Sequence, residues 1–125
     1  HGYWIYRELF RRVLGAVLPE TLVRTSAPLS AEVTVTHQDA SGDRPERWMV
    51  HVVNFSPVRR SPEHCEYLED PIPLHNVRVA LYVSGTVARA YTAADRAALQ
   101  LRRIDGGYEV TIPRVTFGEI AVFEA

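Results

Sequence analysis

The sequence predicts an all-β protein, an antiparallel β-sandwich of about seven strands with one N-terminal α-helix. Short segments that alternate apolar and polar residues recur along most of the chain, and turn-forming residues separate them. No helical pattern lies between these segments, which excludes a parallel α/β sheet. At 125 residues, with 46% apolar residues, the chain is long enough for one hydrophobic core.

A helix is predicted over residues 3–18, where apolar residues recur at the spacings of three and four that are typical of one buried face. They are Tyr6, Leu9, Phe10, Val13, Leu14 and Val17. Glu8 precedes Arg12 by four residues, which favours an ion pair, and Pro19 ends the helix. Each apolar side chain would gain roughly 1.5–3 kcal/mol on full burial. We therefore expect the helix to pack against the sandwich or against another copy of the chain.

Residues 20–29 follow without clean periodicity, and prolines lie just before and within them, so they are interpreted as a linker or extended crossover. A change from helical to strand periodicity follows directly. We therefore predict two segments: residues 1–27, a helix and linker from a preceding domain, and residues 28–125, a C-terminal β-sandwich domain.

In the remaining chain, apolar and polar residues alternate within short segments, which is the pattern typical of half-buried strands. Strands are predicted at residues 32–36, 48–55, 76–83, 87–91, 99–104, 108–112 and 118–123. The sequence of residues 105–107, Asp-Gly-Gly, is the clearest hairpin signal in the chain. Residues 92–98 are expected to form a single helical turn or a loop, and the proline-rich residues 56–73 a long loop.

Charge and cysteine content exclude several classes of protein. Fourteen basic and fifteen acidic side chains give a net charge of −1, and no block of five like charges occurs. We therefore expect no nucleic-acid partner and no membrane partner. No apolar run is long enough for a membrane span. Cys65 is the single cysteine, so no intramolecular disulfide can form, and a cytoplasmic location is expected.

Candidate acid catalysts are scattered. Glycoside hydrolysis needs two carboxylates that face each other across a cleft, but the acids here are predicted on turns, on outer strand faces and in one loop. The loop acids are Glu63, Glu66, Glu69 and Asp70, and they lack the regular spacing of a calcium loop. A solvated surface is the favoured interpretation, so no catalytic residue is expected.

Metal, cofactor and nucleophile signals are weak as well. His64, Cys65 and His75 are three possible zinc ligands, but no paired spacing supports a site. His37 and His51 fall on predicted strands. No phosphate-binding glycine loop or Gly-x-Ser-x-Gly elbow occurs. We therefore expect no metal site and no cofactor.

Exposed aromatic residues on a β-sandwich would be compatible with sugar binding, because carbohydrate modules stack sugar rings on them. Trp48 and Tyr82 are the candidate carbohydrate contacts, since each stands at a strand start or out of phase with the aliphatic residues of its strand. Tyr67, Tyr91 and Tyr108 are further aromatic residues of this set. Packing in the core or at its rim is the favoured interpretation of these side chains.

Four stretches together resemble the carboxyl-terminal region of multidomain, β-galactosidase-like glycoside hydrolases. They are residues 3–10 (YWIYRELF), 50–56 (VHVVNFS), 72–79 (IPLHNVRV) and the ending, 110–115 with 121–124. The resemblance implies that the first helix is the last helix of a flavodoxin-like trimerisation domain and that the rest is the terminal sandwich. It implies a catalytic barrel and a flavodoxin-like domain of the parent chain as partners.

The resulting hypothesis is a non-catalytic accessory domain of a glycoside hydrolase that contributes to packing or assembly. The catalytic residues would lie on the parent's barrel, so the fragment itself is not expected to be an enzyme. A homo-oligomer through the N-terminal helix is a further partner hypothesis. The alternatives are a carbohydrate-binding β-sandwich module and an immunoglobulin-like protein-interaction domain.

Overall fold

The chain folds into one helix followed by two antiparallel sheets. The computed structural model describes residues 4–18, 20–55 and 71–125. Within them, helix α1 spans Trp4–Val17, and the strands are β1 (Val23–Thr25), β2 (Ala31–Gln38), β3 (Arg47–Asn54), β4 (Leu74–Leu81), β5 (Arg89–Thr92), β6 (Ala98–Leu99), β7 (Arg102–Ile104), β8 (Gly107–Val115) and β9 (Gly118–Glu124). The predicted all-β sandwich with one N-terminal helix is confirmed.

The strands divide into a four-stranded sheet in the order β1-β4-β8-β7 and a five-stranded sheet in the order β2-β3-β9-β5-β6. The pairs β2-β3, β7-β8 and β5-β6 follow directly in the chain, whereas β9 lies between β3 and β5. Two sheets of this kind bury the side chains of their facing surfaces against each other.

The core lies between the sheets and consists mainly of β-branched residues. In β4, Val77, Val79 and Leu81 are buried while the intervening Arg78 is exposed. From the opposite sheet, β3 buries Val50 and β9 buries Phe123, both with no solvent exposure. This alternation is the period-two pattern from which the strands were predicted.

Strand β1 differs from the expected linker. Val23, Arg24 and Thr25 pair with Leu81, Ala80 and Val79 of β4, so the end of the segment 1–27 is an edge strand of the sandwich. The backbone N–H of Tyr82 donates to the carbonyl of Leu22 at 2.8 Å. The pairing was missed because three residues between prolines are too short to show a period.

The single strand predicted over residues 99–104 is two short strands. Ala98–Leu99 pairs with β5 in the five-stranded sheet, and Arg102–Ile104 pairs with β8 in the four-stranded sheet. The chain therefore crosses from one sheet to the other at Gln100 and Leu101. Alternation continues through such a crossing, because the apolar side chains point into the same core from both sheets.

The predicted hairpin at residues 105–107 is confirmed as the turn between β7 and β8. Gly106 has φ of 75°, a left-handed conformation that glycine adopts without steric cost. A Cβ atom on Gly107 would collide with the carbonyl oxygen of Leu81. The two glycines therefore let the turn lie directly against the end of β4.

The apolar face of α1 remains exposed. Its side chains range from 46% exposed at Leu14 to 70% exposed at Val17, so the expected packing of the helix against the sandwich is wrong. On its polar side, Glu8 pairs with Arg12 at 3.1 Å, as the spacing predicted, and also with Arg11 at 2.9 Å. Packing against another copy stays a prediction.

Candidate functional site

Trp48 lies at the start of β3, beside His37 of β2 and Phe123 of β9. The His37 ring stacks on the indole, with the centroids 3.9 Å apart and the planes 20° from parallel. The ring of His37 is held in turn by Glu46, whose Oε1 lies 2.7 Å from Nε2. Trp48 also packs against the hydrophobic core. One face of the indole is therefore occupied by the protein itself.

Tyr82 directly follows β4 and is half-buried on the outer side of the four-stranded sheet, out of phase with the buried Leu81. The guanidinium carbon of Arg24 lies 5.5 Å from the centre of its ring, a distance typical of a cation–π contact. Because Trp48 belongs to the other sheet, the two predicted carbohydrate contacts do not form one site.

The other aromatic candidates have structural environments. Tyr108 is buried in the core, and the Tyr91 hydroxyl donates to Glu124 at 3.1 Å. Tyr67 lies outside the described residues. Tyr82 and Tyr108 both line an open surface cavity, and Tyr82 is the more exposed of the two.

This cavity, here called the linker cleft, has a volume of about 820 Å³ and lies at one end of the four-stranded sheet. Its walls come from the segment leading into β1, from the loop after β4 and from the β7–β8 hairpin. They comprise residues 20–22, Arg24, residues 82–86, Arg103, Ile104 and residues 106–108. Edge strand β1, which the sequence did not reveal, brings Arg24 into this wall.

The linker cleft is positively charged on balance. Arg24 and Arg103 line it together with one carboxylate, that of Glu20. In the described part of the chain, neither arginine forms an ion pair, whereas the neighbouring Arg102 lies 2.5 Å from Glu109. The cleft therefore offers two guanidinium groups that no carboxylate of the described residues neutralises.

A second charged cluster is buried at the C-terminal end of β9. Glu124 is 2% exposed, yet it accepts hydrogen bonds from Arg47 at 2.7 Å, Arg89 at 2.6 Å and Tyr91 at 3.1 Å. Burial alone would raise the pKa of Glu124, but these hydrogen bonds outweigh it and hold the pKa below its usual value. Such a carboxylate stays ionised and ties three strands together, so it is unsuited to general acid catalysis.

Among the remaining described carboxylates, Asp39 and Glu46 both contact the ring of His37, at 3.5 Å from Nδ1 and 2.7 Å from Nε2, and the others named here lie apart from each other. Asp95 accepts hydrogen bonds from the Thr92 hydroxyl and the Ala97 N–H, which lower its pKa. Glu109 pairs with Arg102, and Glu32 is exposed on β2. The acidic loop residues Glu63, Glu66, Glu69 and Asp70 lie outside the described residues.

Metal ligands do not cluster either. Among the residues that the structure describes, no three His, Cys, Asp or Glu side chains could hold a metal ion. His51 lies 3.0 Å from the Thr36 hydroxyl across the β2–β3 pair, and His75 is exposed on β4. His64 and Cys65 lie outside the described residues. The helix in the described part of the chain is not long and apolar enough to cross a membrane.

The architecture defines an antiparallel β-sandwich domain with a preceding helix. Among solved structures, it is similar to α-L-fucosidase isoenzyme 2 from Paenibacillus thiaminolyticus, with 32% sequence identity and a TM-score of 0.72. The similarity covers 92% of this chain and 16% of the fucosidase. The chain is thus a β-sandwich related to those of glycoside hydrolases.

A second similar structure is the cycloisomaltooligosaccharide glucanotransferase of a Paenibacillus species, solved with cycloisomaltoheptaose. It shares 17% identity at a TM-score of 0.47, over 82% of this chain and 18% of that one, and this likeness carries no argument about function. The chain matches no protein-family model and no curated protein.

Proposed function

We propose that this chain is a non-catalytic accessory domain of a multidomain glycoside hydrolase and contributes to packing or assembly of the parent enzyme. The observation that carries the proposal is the 32% identity to a segment making up 16% of an α-L-fucosidase. A segment of that size is one domain of a larger enzyme. The activity of the parent therefore depends mainly on residues outside the segment that this chain matches.

The carboxylates of the described residues support a non-catalytic role. A glycosidase holds its two carboxylates about 5–10 Å apart around a pocket. Glu20 is the one carboxylate that lines the linker cleft, and the buried Glu124 is engaged by two arginines and a tyrosine. Neither arrangement leaves a general acid beside a nucleophile.

The similar enzyme and the sequence resemblance indicate which glycosides to test first. An α-L-fucoside is the first substrate to test, because the structural neighbour is an α-L-fucosidase. A β-galactoside is the second, because the sequence resembles β-galactosidase-like enzymes. Both sugars have the relative configuration of galactose, so one panel of chromogenic glycosides tests both activities.

The exposed apolar face of α1 supports the proposal that the helix packs against a partner. Leu9, Phe10, Val13, Leu14 and Val17 are between 46% and 70% exposed, and contiguous apolar surface of this kind marks an interaction site. The proposed partner is the preceding domain of the parent chain, which the sequence resemblance implies to be flavodoxin-like. A second copy of the chain is the alternative occupant.

The proposal is tested by assay and by deletion. The purified chain should hydrolyse neither chromogenic α-L-fucosides nor β-galactosides, while a parent enzyme lacking this region should lose thermal stability or assemble incorrectly. Glu66→Gln and Glu69→Gln variants serve as controls for catalysis from the acidic loop. Turnover by the chain that disappears in either variant would contradict the proposal, as would a parent enzyme unaffected by the deletion.

A further inference from the structure

Strand β2 is the one long open edge among the strands that the structure describes. It lies at one edge of the five-stranded sheet and has 8 residues, whereas the other three edge strands, β1, β6 and β7, have 3, 2 and 3 residues. Natural proteins keep edge strands short or protect them, because an open edge can pair with another chain. β2 is therefore the place where the described sheets can be extended.

The usual protective features are absent from the sequence of β2. Its residues, AEVTVTHQ, include neither proline nor lysine nor arginine, and the one carboxylate, that of Glu32, lies near one end. The pairing with β3 runs without interruption from Ala31 to Gln38, so no bulge turns the edge away. The valines and threonines at its centre are residues that favour strands. This edge thus permits pairing along its whole length.

Alternate backbone groups of β2 point away from β3. The N–H of Phe55 donates to the carbonyl of Ser30 at 3.1 Å, so these two residues form a hydrogen-bonded pair, and such pairs recur at every second residue of an antiparallel ladder. The even-numbered residues of β2 therefore bond to β3. Val33, Val35 and His37 instead direct their N–H and C=O groups to the open edge, where the described part of the chain supplies no backbone partner.

The hydrophobic core is incompletely covered beside this edge. Val33 and Val35 pack against the core but stay partly exposed, whereas the residues opposite them in β3, Val52 and Val50, are completely buried. A further strand at the edge would remove water from the two valines, which is favourable. The open backbone groups and the half-buried valines therefore call for the same partner, a strand.

We propose that β2 pairs antiparallel with β2 of a second copy of the chain, across a two-fold axis at Val35. The two five-stranded sheets then become one continuous sheet. In this register Val35 lies opposite Val35 of the second copy, and Val33 lies opposite His37 of the second copy. The outward backbone groups of all three residues are satisfied in hydrogen-bonded pairs.

The exposed face of β2 is complementary to itself in this register. Thr34 lies opposite Thr36 of the second copy, and Glu32 lies opposite Gln38 of the second copy. Threonine pairs across strands are favourable, whereas like charges directly opposite each other are unfavourable. Because Glu32 does not meet its own copy, no carboxylates oppose each other at this edge. This self-complementarity, which a two-fold interface requires, favours a second copy over an unrelated strand.

Amide hydrogen exchange of the 125-residue chain at low and at high protein concentration tests the pairing. The amides of Val33, Val35 and His37 should exchange about tenfold more slowly when roughly nine tenths of the chain is dimeric, because they then exchange only from the monomer. The amides of Thr34 and Thr36 bond to β3 and should be protected already at low concentration. Sedimentation over the same range measures the fraction of dimer.

Two double variants test the register. Thr34→Lys with Thr36→Lys places like charges opposite each other on both sides of the axis and should abolish the dimer, whereas Thr34→Glu with Thr36→Lys places opposite charges there and should restore it. Both variants lose the contact of Thr36 with His51 at 3.0 Å, so this loss cannot explain a difference between them. Thr111→Lys, at an exposed threonine of β8 in the other sheet, is the control and should leave the dimer unchanged.

Three outcomes would overturn the proposal. The first is a chain that stays monomeric at every concentration. The second is a dimer in which the amides of Val33, Val35 and His37 stay unprotected, which would assign the association to another surface such as the apolar face of α1. The third is equal dimer formation by the two double variants. Failure here is distinguishable from failure of the proposed function, because the pairing rests on β2 alone and deletion of the region from the parent enzyme tests that function separately.

Discussion

Glu124 is a charged residue that can be buried because neighbouring side chains compensate its charge. Its carboxylate is buried beside Phe123 at the end of β9, and it is compensated by Arg47 from β3 and Arg89 from β5. A buried carboxylate is tolerated only when such partners satisfy it. This cluster could not be identified from the sequence pattern, because its three members are far apart along the chain.

Replacing Glu124 with Gln should lower the free energy of unfolding by about 2 kcal/mol, because charge-assisted hydrogen bonds are lost. The cost is moderated because the side chain of Arg89 is 67% exposed and can be solvated by water. Chemical denaturation measures the change. Glu32→Gln, an exposed β2 residue, is the control and should change stability by less than about 0.5 kcal/mol. Equal effects of the two substitutions would contradict this role of Glu124.

The same carboxylate should make stability depend on acid. Its folded-state pKa lies below the usual 4.5, so the folded protein binds this proton less readily than the unfolded chain. The stabilisation is therefore present above pH 4.5 and is lost as the pH falls below it toward the folded-state pKa. The difference in unfolding free energy between the native chain and Glu124→Gln should shrink over that interval. A difference that stays constant into acid would contradict the assignment.

Asn76 is a second residue whose identity matters locally. It lies within β4 with φ of 52° and opposite Pro113, which has no N–H to donate. Asn adopts this left-handed conformation more readily than most residues. Asn76→Val should destabilise the protein by about 1–2 kcal/mol, whereas Asn76→Gly should be nearly neutral. Thermal denaturation of both variants checks this, and a stabilised Val variant would contradict it.

At the scale of elements, periodicity predicted the strands that have one buried face and are long enough to show the alternation of apolar and polar residues. The alternation in β4 and β8 placed Val79 and Val110 in the core correctly. It failed for β1, which is only three residues long, and it merged β6 with β7, because a strand that changes sheets keeps its apolar side inward.

The candidate site was predictable only in part. Tyr82 was identified because it is out of phase with Val79 and Leu81, and it does line the linker cleft. Trp48 is in phase with Val50 and packs against the core. Arg24 could not be identified, because its place beside Tyr82 depends on the pairing of β1 with β4, which joins residues far apart in the chain.

The β7–β8 hairpin provides a test of close backbone packing. Gly107→Ala should destabilise the protein by about 1–3 kcal/mol, because the added Cβ would meet the Leu81 carbonyl and the turn would have to move. Gly85→Ala is the matched control, since nothing lies within 4 Å of a Cβ there. Unfolding curves of the two variants provide the comparison. A Gly107→Ala variant as stable as Gly85→Ala would show that the turn shifts at no cost.

At the scale of the whole molecule, a short stretch of chain separates the exposed face of α1 from the first residue of the linker cleft. The exposed face of α1 is apolar, and the linker cleft begins at Glu20, three residues after the last helical residue, Val17. The helix residues on which a partner domain would pack are therefore close in the sequence to the first residue that lines the cleft.

The last prediction concerns the helix itself. Because the described apolar side chains of α1 are largely exposed and the core is built from strands, the sandwich should fold without residues 1–18. Their deletion should change the free energy of unfolding by less than about 1 kcal/mol, as expected when little buried surface is removed. Chemical denaturation of the deleted and full chains measures this; fluorescence reports on Trp48 and the core in the deleted chain, which lacks Trp4. Sedimentation of the same two proteins tests the helix face, because self-association through that face should disappear with the helix. A deleted chain that fails to unfold cooperatively would show that α1 stabilises the sandwich, and a full chain that remains monomeric would leave the preceding domain of the parent as the proposed partner.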